Sequence, residues 1–367
     1  MRIAMLSHMH HPIAEPFEGG TEAHTAMVAD ALVARGHDVT LFAKAGSVTS
    51  ATIYPLVPKD FEFVRAATPL VRRQQAGFLA EAVHHSIGII RQSDFDVVLN
   101  NSLSSLPYTF LRDEPMLTIL HTPPTLSDVT AIITAPGWRP SDLHSYVTVS
   151  ETNAANWRVS LPGVGVVHNG IRLEQWHSTV TPSPDLAVWA ARITPEKGLH
   201  LAIDAARLAG LRFEFAGPVS NTDYFVDEIE PRLGTDAVYR GHLAHRELHD
   251  FFASGAVFVA SPLWSEPFGL SVVEALASGT PVAAFPNGAL PEIVERMAGS
   301  IAVDGSVEAL AVAIATARRL DRGDARRSSG RFAFEAMVDA YEVELERLAA
   351  LPDRDSAEWS LRQAEVG

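Results

Sequence analysis

The chain has 367 residues, with 29 basic and 44 acidic side chains, a net charge of −15 and no cysteine. That length suits about two domains, and the missing thiols exclude disulfides, a cysteine-ligated zinc and a thiol nucleophile. The acidity disfavours nucleic acid and anionic bilayer surfaces as partners, and no window approaches a membrane span or a signal peptide, so a cytoplasmic protein without integral membrane contact is expected.

Arg2–Ser7 (RIAMLS) reads as a buried strand, and a loop rich in Pro, Gly and His follows it. Thr21–Arg35 is predicted to be a helix with Ala23, Met27, Ala31 and Ala34 on one stripe, and Gly36 is placed to cap it. His37–Ala43 is the next strand. Strand, loop, helix, Gly and strand make a βαβ unit, and further units repeat the pattern, which predicts a doubly wound α/β fold. Gly19 and Gly20 directly precede the helix, where exposed N–H groups could receive a phosphate or a sugar hydroxyl. The alternative is a plain loop-to-helix turn. His8, His10 and His11 invite a metal reading, but the sequence fixes no carboxylate partner for them, and no metal is expected.

Residues 51–101 supply a strand (ATIYPLV), a basic stretch with Arg65, Arg72 and Arg73, a helix to about Gln92 and a strand (DVVLN). The arginines could bind an anionic acceptor, although a solvated helix face is the plainer reading. MLTIL is a strand ending at His121, and the carboxyl end of a parallel strand is where such folds bind ligands. A capping role for His121 before the prolines is the alternative. Tyr146–Ser150 reads as a strand and Glu151–Arg158 as a short helix. Gly163 and Gly165 in LPGVGVVHNGI hint at a dinucleotide fingerprint, but His168 stands at the third position and no clear strand precedes it, so an oxidoreductase is discarded.

A polar connector follows, then a strand (DLAVWAA) running into Arg192-Ile193-Thr194-Pro195-Glu196-Lys197-Gly198. Arg192 and Lys197 are two cations on one βα loop; Arg suits a bidentate anion contact and Lys a point contact. The units LRFEFAG, a helix from about Asn221, AVYRGHL and AHRELHDFFA come next. His245 and His249 share a helix face, but Glu247 is misplaced for a zinc hydrolase. Ala256–Ala260 is a buried strand that leads into SPLWSEPFGLSVVEALASGTPV. There Glu266 falls on the loop and Glu274 inside the following helix, eight residues on, about 12 Å if all were helical. Gly269 lets the backbone approach closely at the helix start. PVAAF, the turn Pro286-Asn287-Gly288, a helix from Pro291 and a final amphipathic helix at about 330–350 complete the chain.

The Glu-x7-Glu stretch with Phe268, Gly269 and Leu270 after the first acid resembles the retaining nucleotide-sugar glycosyltransferases of family 4. The segment GGTEAHTAMVADALVARGHDV, the crossover VVHNGI and the Arg192–Gly198 turn resemble the same family in order and spacing. Arg172 stands where the family usually has Asp, and Ala191 where it often has Gly. The resemblance implies a GT-B fold: two Rossmann-like doubly wound domains facing a central cleft. These would be 1–168 on the acceptor side, a connector 169–184, and 185–352 for the nucleotide sugar, with the last helix returning to the first domain and a polar tail at 353–367. It implies that Glu266 meets the transferred sugar, Glu274 the ribose, and His121 the sugar near the reaction centre. Arg192 and Lys197 would stabilise the leaving diphosphate, with Gly241, His242 and Leu243 near the base and the Gly19-Gly20 loop closing over the donor. The function implied is metal-independent transfer, without cofactor, from a nucleotide diphosphate sugar, UDP favoured, to a small-molecule or glycan acceptor. The alternatives are an epimerase or phosphorylase of the same fold and a non-catalytic nucleotide-sugar-binding subunit.

Overall fold

Segments such as Val97–Asn101 and Met116–Leu120 are buried along their whole length, as strands must be when helices cover both faces of a parallel sheet. The structure, a computed structural model, describes residues 1–64, 68–125 and 127–351. Arg65 and the tail 353–367 lie outside these residues. The first sheet holds β1 (Arg2–Ser7), β2 (Asp38–Lys44), β3 (Thr52–Val57), β4 (Val97–Asn101), β5 (Met116–Leu120), β6 (His144–Thr148) and β7 (Gly165–Val166). The second holds β8 (Ser183–Ala190), β9 (Arg212–Ala216), β10 (Ala237–Tyr239), β11 (Gly255–Ala260), β12 (Val282–Ala284) and β13 (Gly299–Ile301). Their orders are β3-β2-β1-β4-β5-β6-β7 and β10-β9-β8-β11-β12-β13, parallel throughout. In each sheet the chain reverses direction of travel beside the first strand, between β1 and β4 and between β8 and β11. Ligand crevices open at such switch points, beyond the carboxyl ends of the strands.

The helices of the first half are α1 (Gly20–Ala34), α2 (Pro69–Arg91), α3 (Leu106–Phe110), α4 (Ser127–Ile133) and α5 (Glu151–Trp157). Those of the second are α6 (Leu199–Leu208), α7 (Thr222–Tyr224), α8 (His245–Ser254), α9 (Leu270–Ala277), α10 (Leu290–Ile293), α11 (Val307–Ala317), α12 (Arg322–Ser328) and α13 (Phe334–Ala349). Among the described residues no helix is long and apolar enough to cross a membrane. The expected stripe on α1 is not its core face. Thr25, Val28, Ala29 and Leu32 are fully buried; of the expected stripe Ala31 is in the core, whereas Ala34 is exposed and Ala23 and Met27 face the cleft. The helix is sandwiched between its sheet and α13, so apolar residues surround it and a single stripe misleads.

The helix expected from Asn221 has only one α turn, capped by the Asn221 side chain. It widens into a π-type turn at Phe225–Ile229 and ends in a 3-10 turn at Pro231, which has no N–H to continue the ladder. β6 starts two residues before the expected strand, and β7, read as loop, pairs with it. The connector is less polar than its composition suggests, because Ile171 and Trp176 are buried in a core cluster shared by both halves.

Two devices tie the halves together. The chain passes from the second half into α13 through reciprocal bonds of Ile171, its N–H to Phe332 O at 2.9 Å and its carbonyl receiving the Phe334 N–H at 3.0 Å. α13 then lies against α1, β4, β5 and β6. Arg35 at the end of α1 holds Glu335, Asp339 and Glu342 of α13 at 2.9, 2.7 and 2.6 Å. The second device is Glu292 on α10. Its carboxylate accepts the N–H groups of Glu151 and Thr152 at the start of α5, both at 3.0 Å, and lies 2.8 Å from His168 Nε2. Burial alone would raise this acid, but those hydrogen bonds outweigh it and hold the carboxyl at about 2.

Gly198 has φ +64, and a Cβ there would sit 2.1 Å from the Ser261 carbonyl oxygen; Gly210 has φ +72 with open space around it. The left-handed conformation alone costs an alanine about 1–2 kcal/mol. Gly210→Ala should therefore lower stability by about that amount, and Gly198→Ala by clearly more, because the β8 and β11 loops must part. Urea unfolding midpoints of the two variants compare the terms; equal losses would show that the close approach is relieved without cost.

Candidate active site

The carboxyl ends of both sheets face one cleft of about 390 Å³. Its second-half wall is built from the loops after β8 and β11, held close by glycines. Gly198, after β8, would put a Cβ 2.1 Å from the Ser261 carbonyl oxygen after β11, and Gly217, φ +139, in the loop after β9, would put one 1.9 Å from the Ala191 carbonyl oxygen after β8. Ser261 then donates its hydroxyl to Lys197 O at 3.1 Å, and the Leu263 N–H reaches Glu196 O at 2.8 Å. The two loops form a single ledge.

On that ledge Lys197 and Glu266 are joined, with Nζ 2.6 Å from Oε2 and both side chains largely buried. Trp264 donates its Nε1–H to the same oxygen at 2.9 Å, and the Lys197 ammonium lies 5.2 Å from its ring centre, within cation–π range. Glu266 Oε1 has no protein donor among the described residues. The backbone of Glu266 is fixed from behind by the Asn287-Gly288 turn. The Ala289 N–H donates to Glu266 O at 2.8 Å, and a Cβ on Gly288, φ +62, would collide with Glu266 at 2.2 Å. Arg192, on the same loop as Lys197, is exposed to the cleft and makes no ion pair among the described residues. The sequence treats Lys197 and Glu266 as separate groups; the fold makes them partners across 69 residues.

Gly269, φ +91, starts α9 without a side-chain cap, so the first N–H groups of that helix face the cleft. Glu274, little more than one turn on, opens to the cleft on one side and is enclosed by protein on the others. Burial raises its carboxyl to about 7. On the opposite wall, Gly19 is extended and Gly20 approaches α9 so closely that a Cβ would stand 2.9 Å from Leu270 Cδ1. His121 lies at the end of β5 with its Nε2 against Asn101 Oδ1 at the end of β4. The His24 ring meets it edge-on at 4.7 Å.

The cleft thus brings together Gly19, Gly20, His121, Arg192, Lys197, His242, Leu243, Glu266, Phe268, Gly269, Leu270 and Glu274. Gly241 is not on its surface; with φ +78 it receives the Gly217 N–H on its carbonyl at 2.9 Å and shapes the loop instead. Arg72 and Arg73 lie on the exposed face of α2, away from the cleft. The histidine loop differs from the sequence reading in one respect. His8 does have a carboxylate neighbour, Glu22, 3.4 Å away and buried with it. Burial and its neighbouring histidines push His10 down to about 4. No group of three or more potential ligands among the described residues is arranged to hold a metal ion. Trp264 and Asn101 escaped the sequence reading. Only the two-residue spacing of Trp264 from Glu266 offered a hint, and for Asn101 there was none.

Two parallel sheets whose carboxyl ends face one cleft, with cations and acids on its wall, are the GT-B arrangement. Two family models together match residues 18–331: Glycosyltransferase Family 4 over residues 18–175 and Glycosyl transferases group 1 over residues 174–331. The chain belongs to this glycosyltransferase family. It is 26% identical to the D-inositol 3-phosphate glycosyltransferase of Mycolicibacterium smegmatis, over 83% of this chain and 80% of that one. It is also 26% identical to a glycogen synthase of Mycobacterium tuberculosis, over 93% of each. Among solved structures, it is similar in fold to sucrose-phosphate synthase from Thermosynechococcus elongatus, with TM-score 0.79, 18% identity and coverage of 95% of this chain and 100% of that one. Anabaena HepE in complex with UDP-glucose superimposes with TM-score 0.69 and 19% identity over 96% and 100%.

Glu274 carries a stability signature. Its folded pKa, about 7, lies above the ordinary 4.5, so the folded state binds the proton more tightly. The protein therefore loses stability from this group as pH rises from about 4.5 to about 7, by about 1–3 kcal/mol after screening by cleft water. Glu274→Gln should raise the melting temperature of the ligand-free protein at pH 8 and change it little at pH 4. An equal shift at both pH values would mean that the carboxyl is not perturbed.

Proposed function

We propose that this protein transfers a sugar, with retention of anomeric configuration, from a nucleotide diphosphate sugar to a small-molecule or glycan acceptor without a metal ion. One observation carries the reading. Arg192, Lys197, Glu266 and Glu274 stand on one wall of one cleft, with His121 on the other. The spacing suits a ligand laid along the ledge, nucleoside toward Glu274 and sugar toward Glu266. Ribose hydroxyls are donors and match the ionised form of Glu274, which prevails above about pH 7. The α9 N-terminus, Arg192 and Lys197 offer positive charge for a diphosphate. As the sugar–oxygen bond breaks, negative charge grows on the diphosphate, and cations already in place stabilise it by a few kcal/mol on the usual scale.

Lys197 meets that charge by exchanging partners. Glu266 Oε2 is its partner in the structure, 2.6 Å away. An arriving diphosphate competes for the ammonium, and Trp264 keeps its hydrogen bond to the carboxylate. Glu266 is then free to accept bonds from sugar hydroxyls. Uridine is favoured as the base, in keeping with HepE, whose structure contains UDP-glucose. Retention comes with the family resemblance and is read from the anomeric coupling of the product by NMR.

Two tests follow from the orientation. Hydrogen bonds to a charged acceptor are worth about 1.5–3 kcal/mol. Glu274→Gln should weaken UDP and UDP-glucose alike, by roughly tenfold or more. Glu266→Gln should leave UDP nearly unchanged and lower turnover. Calorimetric titration of both variants decides; comparable loss of UDP binding in each would reverse or abolish the proposed orientation. The second test concerns the diphosphate site, where two side-chain cations rather than acids face the ligand. Dialysis against EDTA should leave UDP-glucose turnover intact. Loss of turnover that magnesium or manganese restores would contradict a metal-independent site.

A further inference from the structure

The polar groups behind His121 form one chain whose donors and acceptors can be assigned atom by atom. Thr25 has a single hydroxyl proton, and it goes to the Thr21 carbonyl 2.8 Å away within α1. Thr25 Oγ1 can then only accept, so the part of the Asn101 amide 2.7 Å from it is the NH2 group. That NH2 also lies 3.4 Å from His24 Nδ1. The amide oxygen of Asn101 therefore faces His121 Nε2, with which it is in contact. An amide oxygen only accepts, so His121 Nε2 carries a proton. Burial, with His24 and His8 nearby, holds the His121 pKa well below the ordinary imidazole value, and the ring is neutral. A neutral ring protonated at Nε2 has a bare lone pair at Nδ1. That atom has no protein partner among the described residues, and the side chain lines the cleft. At the far end of the chain, His24 accepts at Nδ1 and so donates from Nε2 to the Tyr341 hydroxyl at 3.2 Å, anchoring the network on α13.

We propose that Asn101 is a positioning residue that fixes His121 as the Nε2–H tautomer, so that His121 meets its ligand as an acceptor, through Nδ1, and its partner is a hydroxyl group. The hydroxyl partner rests on the reading of the cleft as a nucleotide-sugar site; the tautomer does not. The assignment gives the contact a direction. His121 orients a sugar or acceptor hydroxyl and does not hand a proton to the departing diphosphate. A phosphate oxygen placed against Nδ1 would face a lone pair and be repelled.

Long-range proton–nitrogen NMR of histidine-labelled protein tests this, with His121 assigned by its loss in His121→Asn. In the wild type, His121 should show a protonated Nε2 and a pyridine-type Nδ1. UDP-glucose should shift the Nδ1 resonance without protonating it. Asn101→Ala should give a mixture of tautomers and lower kcat about tenfold, the scale of one hydrogen bond, while UDP affinity stays within about twofold. A protonated Nδ1 in the wild type overturns the assignment, and so does a pure Nε2–H tautomer in Asn101→Ala. If the wild type binds neither UDP nor UDP-glucose, the donor reading and the hydroxyl partner fall together, while the ligand-free spectrum still decides the tautomer.

Discussion

The contact on which the cleft depends is the one between the Lys197 ammonium and the Glu266 carboxylate, 2.6 Å apart. Both side chains are mostly removed from water, so leaving either unpaired would carry a large desolvation cost. Each satisfies the other, and Trp264 binds to both. A diphosphate that takes Lys197 from Glu266 must offer at least as much as the carboxylate does. In the proposed reaction, charge growing on the leaving diphosphate would increase that offer, so that a binding group would act on the transition state.

Holding two side chains from distant segments to that distance makes demands on the whole second half. The β8 and β11 loops must touch, which Gly198 allows, and the β9 loop must close on the β8 loop, which Gly217 allows. The Glu266 backbone must be pinned, which the Asn287-Gly288 turn does. The opposite wall must then be placed against this ledge. Glu292 fixes the start of α5, and α13 carries the chain back across the first sheet, where Tyr341 reaches the network behind His121. The last helix is thus part of what positions the cleft, although it lies on its outer side.

The βα alternation was legible because it rests on local patterns, and the two facing sheets came with the family resemblance. Buried strands are short apolar runs bounded by Gly or Pro, and the Arg192–Gly198 and Glu266–Glu274 segments carry their chemistry in a few consecutive residues. What was not legible depends on contacts distant in sequence. The expected α1 stripe held only at Ala31 and missed at Ala23, Met27 and Ala34, because α13 covers a second side of that helix. β7 is two residues long and is defined only by its partner β6. Trp176 looked like part of a polar connector because its neighbours are polar, while its own side chain is buried beside Phe252 and His245. The pairing of Lys197 with Glu266, and of Asn101 with His121, has no local signature at all.

The most direct test of the partner exchange is the structure of this protein with UDP-glucose bound. The ammonium of Lys197 should lie on the diphosphate and away from Glu266 Oε2, with the ribose at Glu274 and the glucose beside Glu266. UDP-glucose bound elsewhere, or bound in the cleft with the Lys197–Glu266 pair still closed at 2.6 Å, would contradict it.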